Sequence, residues 1–218
     1  AVEVADRGGV EEQLRAVESE LHERAPQIAA LAVPRIMSVA DVQSLLLPNE
    51  VMLVFDSTGE QVHAWLVPKH GKSEWRLLRS SLGDIARMAK RVRCGLDTDG
   101  YEGRDKLNCL TGDPARDAAL ISAATQQKLP FDLTTAHVLY DVLLGDDRTL
   151  FEGKKLLIVA PYPFDQVPFN ALVIERPTSK SAEAADFRSV QWMVRRHAIA
   201  MLPSVATLAA IEIGRAHV

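Results

Sequence analysis

Cysteine is scarce in this chain of 218 residues, which holds only Cys94 and Cys109. Two cysteines without a C-x-x-C spacing cannot make a disulfide framework. A reducing compartment, the cytoplasm, is the simplest setting for them. Long apolar runs are also missing. No stretch approaches the length that spans a bilayer, and the first thirty residues read as acidic and helical rather than as a leader. Positive charge is not in excess either. The net charge of −4 excludes a general binder of nucleic acid or anionic membrane, which would gather Lys and Arg. A phosphate loop is lacking, since Gly153-Lys154-Lys155 precedes an apolar run whereas a Walker motif follows one. No dinucleotide fingerprint and no solenoid period appear, so no cofactor is expected.

What is present is ordinary globular composition, 47% apolar and 25% charged, enough for one large domain or two small ones. Leu156 to Ala160 is a continuous apolar run without alternation, opened by two lysines and closed by Pro161. Such a run fits a strand buried on both faces, as in a parallel sheet covered by helices. His137 to Gly145 before it reads as a helix packing on that sheet, with Thr134 or Thr135 as its start and Gly145 as its C′ residue. A proline-punctuated loop, Pro161 to Pro168, and a second apolar segment, Phe169 to Ile174, follow. Leu156 to Ala160 is therefore expected to be the first strand of an α/β domain.

Earlier in the chain, residues 10–31 read as a helix interrupted at Pro26, with Leu14, Val17 and Leu21 as a sparse apolar stripe that leans on a neighbour. Ser38-Val-Ala-Asp41 reads as a capping box for a short helix. Val51–Asp56, Gln61–Val67 and Glu74–Leu78 are joined by short connections and predict a three-stranded antiparallel meander. Ser81 caps a helix with a stripe of Leu82, Ile85, Ala89, Val92 and Leu96. Residues 98–113 are turn chemistry, and Pro114 opens a helix from Ala115 to Lys128. Residues 176–188 read as a surface insertion and Trp192–Met201 as a strand-like run. Pro203-Ser204 opens a last helix, Val205 to Ile211.

Four segments together carry a resemblance. Leu139-Tyr-Asp-Val-Leu-Leu144, Gly153-Lys-Lys-Leu-Leu-Ile-Val159, Val167-Pro-Phe-Asn-Ala-Leu172 and His197-Ala-Ile-Ala-Met-Leu-Pro-Ser204 closely resemble the amino-terminal half of CHAT domains. These are caspase-like domains often found behind tetratricopeptide repeats. Val39 to Leu47 and Asn49 to Phe55 resemble the segment before that core, so the likeness covers roughly residues 35 to 211. One departure is Pro163, which stands where the family loop carries Gly and cannot take a positive φ.

The resemblance implies an α/β fold, a caspase-like sheet flanked by helices, truncated, and preceded by the meander and amino-terminal helices. Residues 1–34 are then a helical segment, either the tail of an upstream repeat region or a cap, and residues 35–212 the front part of a CHAT domain. The chain begins at Ala1 without Met, so an upstream portion is expected to be missing. Residues 213–218, Ile-Gly-Arg-Ala-His-Val, match the in-frame translation of a common sequencing-library adapter that then reaches a stop codon. They are expected to be adapter read-through, with the natural gene continuing. The resemblance also implies a cysteine peptidase whose His acts as general base and whose thiolate attacks the scissile carbonyl. Both groups belong to later core strands, a His-Gly turn and a Ser-Ala-Cys segment, which this chain ends too soon to supply. No catalytic, cofactor or metal residue is therefore assigned, and the chain is expected to be inactive, with unpaired sheet edges that favour partial folding or aggregation. The implied partners are protein substrates or protein partners, with upstream repeats and neither nucleic acid nor membrane. The alternatives are a non-catalytic interaction module on the same fold and a small nucleotide-binding α/β domain.

Single residues have plain readings. Cys94 lies half a helical turn round from Ile85 and is expected on the outer face as a surface thiol. Cys109, in a loop without an adjacent His, reads as a packing residue. His63 and His70 flank a hairpin and lack the further ligands of a metal site. His137 on a helix and His197 on a strand read as core-edge residues. Arg195-Arg196 reads as a solvated strand end and Asp146-Asp147 as turn chemistry.

Overall fold

The computed structural model describes residues 2–25, 28, 36–96, 131–177 and 187–209. The elements in chain order are α1 (Val2–Arg24), α2 (Val39–Leu45), β1 (Glu50–Thr58), β2 (Gln61–Pro68), β3 (Glu74–Leu77), α3 (Leu82–Cys94), α4 (Leu133–Leu144), α5 (Arg148–Phe151), β4 (Lys155–Val159), α6 (Met193–Arg196) and β5 (Ile199–Leu202). The expected helices over 114–128 and beyond 209, Cys109, and residues 213–218 lie outside the described residues.

The five strands form one mixed sheet in the order β3-β2-β1-β4-β5. β1 pairs antiparallel with β2, which pairs antiparallel with β3, so the meander is as the short connections predict. Its first strand also pairs in parallel with β4, from Glu50 opposite Lys155 to Val54 opposite Val159. β5 adds in parallel on the far side of β4. Two expectations are thereby corrected. The apolar run after Lys154 is not the first strand of a separate sheet but an inner strand, and both its edges are paired. The reason is visible in β1, whose Val51, Met52, Leu53 and Phe55 are buried on both faces. A strand that apolar seeks the middle of a sheet, and the meander supplies a partner on only one side.

Local chemistry sets the helix ends. Ser38 and Asp41 make a complete capping box, the Ser38 amide donating to Asp41 Oδ2 at 2.9 Å and the Asp41 amide to Ser38 Oγ at 3.2 Å. At α3 the Asp84 amide donates to Ser81 Oγ at 3.1 Å. The Gly83 amide, in the exposed first turn of the helix, donates to Glu60 Oε2 at 3.0 Å. α4 starts from Asp132, which accepts from the Thr135 amide at 2.9 Å and pairs with Arg91 of α3. Its end differs from the expectation. Gly145 has φ −56, ordinary helical backbone, and the chain runs on through a 3-10 turn, Gly145–Asp147, into α5. Trp192–Met201 is likewise not one strand: α6 occupies its front and β5 its back.

The two sheet faces are covered unequally. Val62, Ala64 and Leu66 of β2, with Leu53 and Phe55 of β1 and Leu156 and Ile158 of β4, face α3 and α4 in the larger apolar cluster. Met52, Val67, Leu157, Val159 and Leu202 face the other way, under Val42 and Leu46 around α2 and Leu208. That cover reaches β4, β5 and the near part of β1 and β2, but not β3.

Candidate functional site

Parallel strands deliver their carboxyl ends to one edge of a sheet, where open α/β proteins bind ligands, usually at a point where the strand order reverses. β1, β4 and β5 do share an edge, but they follow one another across the sheet in chain order. The whole order does reverse between β1 and β4, but β1 runs through a tight turn into antiparallel β2 and not into a crossover, so the described residues hold no pair of diverging crossovers to open such a crevice. The edge carries instead the loop after β4. Phe164 and Phe169 stack on Phe55 with ring centroids 5.3 and 6.0 Å apart, and Phe164 and Val167 are buried. The loop therefore hangs from the core by its aromatic residues. It passes through a cis Tyr162–Pro163 peptide. Its exposed groups are Tyr162, 80% accessible, with Asp165, Gln166 and Asn170. Gln166 accepts from Arg93 of α3. A phenol, a carboxylate and two amides can bind a polar chain, but none is a nucleophile with a base beside it.

The histidines do not converge on that edge. His137 Nδ1 lies 3.1 Å from the Val173 carbonyl, and His197 Nδ1 lies 3.3 Å from the Lys154 carbonyl at the amino end of the parallel strands. His197 is buried against the edge of the Phe151 ring and sits between α6 and β5, not within a strand. His70 is exposed. His63, half-buried, stacks on Trp75 at 5.9 Å and tilts against Trp65 at 5.9 Å. No group of three or more His, Cys, Asp or Glu that could hold a metal occurs among the described residues.

Cys94 corrects its expectation. Its sulfur is not on the surface but buried, with Cys94 3% accessible, and is held in a disulfide. Half a helical turn from Ile85, Cys94 is covered by protein and not by water. A sulfur in a disulfide is no nucleophile.

The lysines after Gly153 cradle nothing. Lys154 Nζ donates to the Pro48 carbonyl at 3.1 Å, and Lys155 Nζ pairs with Glu50 Oε1 at 3.0 Å. The Glu50 side chain is wholly buried and also accepts from the Leu47 amide at 3.1 Å. Asp146 pairs with Arg76 at 3.4 Å and Arg79 at 3.5 Å, so it is more than turn chemistry. Arg195 and Arg196 are exposed on α6, with Arg195 Nη1 donating to the Arg188 carbonyl at 2.7 Å.

One arrangement emerges only from the strand register. Trp65 and Trp75 are opposite one another in the β2–β3 register, His63 lies opposite Leu77, and all four side chains lie on the sheet face that α2 leaves bare. The signal was present as two alternating pairs, His63/Trp65 and Trp75/Leu77. No protein-family model matches the chain, and no curated protein matches it.

Proposed function

We propose that residues 35–212 are the amino-terminal part of a CHAT-type, caspase-like domain whose full form is a cysteine peptidase acting on protein substrates. One observation carries this reading. The segments that bear the resemblance make a connected α/β unit: α4 on the sheet, β4 buried between parallel neighbours, and the Val167–Leu172 loop anchored by Phe169 at the strand's carboxyl end. That edge is where a peptidase of this kind would receive its substrate, and the exposed Tyr162, Asp165 and Asn170 are groups that can bind an extended peptide. The dyad itself is proposed to come from further strands, so the chain of 218 residues has no turnover of its own. A cytoplasmic location belongs to the same reading.

A second reading is an interaction module on the same fold without catalysis, which strands that follow without a His and a Cys would distinguish. The test is to express the chain with whatever the source DNA encodes after the Glu212 codon and assay it on a fluorogenic peptide library. The peptidase reading expects cleavage that is lost when the cysteine supplied downstream is changed to Ala, and none from the 218-residue chain. Further strands without a His and a Cys leave the interaction module. Cleavage by the 218-residue chain alone would overturn both.

A further inference from the structure

Two surfaces of this chain are apolar and open at once. The first is on α1. Val10, Leu14 and Val17 are 58%, 56% and 62% accessible, and with Leu21 they are spaced four, three and four residues apart, the seam of a heptad. The second is the face built by His63, Trp65, Trp75 and Leu77, with Trp75 57% and Leu77 47% accessible.

Charge distinguishes what each could meet. Of the 29 acidic and 25 basic residues in the chain, seven and three lie in α1, so this helix alone carries the net charge of −4. Glu11, Glu18 and Glu20 flank its seam. Two α1 helices packed seam to seam would set these glutamates against one another, which disfavours a coiled coil of α1 with itself. The aromatic face has the opposite rim. The β2–β3 hairpin beside it carries Lys69, His70 and Lys72. Lys69 Nζ reaches the Ser44 carbonyl of α2 at 2.9 Å, which puts the hairpin on the same side of the sheet as the aromatic residues. On the strands of that face Glu50 is buried and paired with Lys155, and Asp56, opposite His63, is an exposed carboxylate. The seam from Val10 to Leu21 is roughly 16 Å long at 1.5 Å per residue. The face across β1, β2 and β3 is roughly 10 Å wide at the usual strand spacing.

We infer that the chain self-associates, the acidic α1 of one copy lying across the His63–Trp65–Trp75–Leu77 face of a second copy. One chain leaves both surfaces open, and a two-fold dimer closes both twice. This inference does not depend on the peptidase reading.

Sedimentation of the full chain tests it, with two exposed-site variants. The wild type is expected to be a reversible dimer that weakens as NaCl rises from about 0.05 to 0.5 M, since the charged rim is screened. Leu14→Glu and Trp75→Glu are each expected to raise the dissociation constant at least tenfold. Mixed one to one, the two variants are expected to associate where neither does alone, because one keeps the face and the other keeps the helix. Val17→Glu and Leu77→Glu repeat the pair should either variant lose its circular dichroism. A monomeric wild type at all concentrations, a dimer that survives both substitutions, or a mixture that stays monomeric overturns the inference.

Discussion

Gly95 sits at φ −80, a value any residue adopts, yet a Cβ there would lie 2.6 Å from the Phe131 Cα. The glycine is needed for close approach, not for a turn. Gly95→Ala must push the backbone of residue 131 away and is expected to cost about 1–3 kcal/mol, read from urea unfolding. An unchanged midpoint would mean that this junction gives way freely. Gly145 is not held so tightly: its φ is negative, and its Cβ would meet Asp141 Oδ1 at 2.6 Å, the end of a side chain that can turn away. The reading of Gly145 as a left-handed C′ residue rested on residue type alone. Residue type does not tell which of glycine's two uses, positive φ or small size, a fold employs. Cys94 misled in a related way: its angle on the helix was legible, but what lies on that side was not.

At the scale of elements, the caps show how much local chemistry declares itself. Ser38 with Asp41 and Ser81 with Asp84 act within four residues, and both were legible. At α4 the sequence offered Thr134 or Thr135, and the structure uses Asp132 because Arg91, 41 residues away, meets its carboxylate. Burial pushes the Asp132 carboxyl up, but the Thr135 amide and hydroxyl and the Arg91 guanidinium together outweigh burial and leave it below the usual carboxylate value. A carboxyl depressed by folding stabilises above its unfolded value and loses that contribution as pH falls through its folded value. Asp132→Asn is therefore expected to be less stable than wild type at pH 7, by about 1–2 kcal/mol. The difference should shrink as pH drops below 3.8, the unperturbed value. Thermal melts from pH 7 to 2 check this, and a gap constant across that range would remove the charge from the account.

For the whole molecule, the decisive contact is the parallel pairing of β1 with β4. It merges the meander with the α/β part, and Glu50 and Lys155 tie its amino end with a wholly buried carboxylate. Lys155→Ala removes the ammonium that meets this buried carboxylate and is expected to cost about 3 kcal/mol. It should lower one cooperative transition, followed alike by far-UV circular dichroism and by tryptophan fluorescence from Trp65, Trp75 and Trp192. Two separated transitions would show the meander and the parallel strands folding independently.

The sequence by itself determined the short-range features: the capped helices, the hairpins, the buried run at Leu156 and the sheet flanked by helices. These follow from period, propensity and hydrogen bonds between near neighbours. Only the tertiary structure decided that five strands make one sheet, that Cys94 is enclosed, that Lys155 neutralises Glu50, and that two tryptophans with His63 and Leu77 lie together in the open. Pairing of strands a hundred residues apart depends on which edges and faces remain uncovered once the rest has packed. That competition is settled over the whole chain, and no local window of sequence contains it.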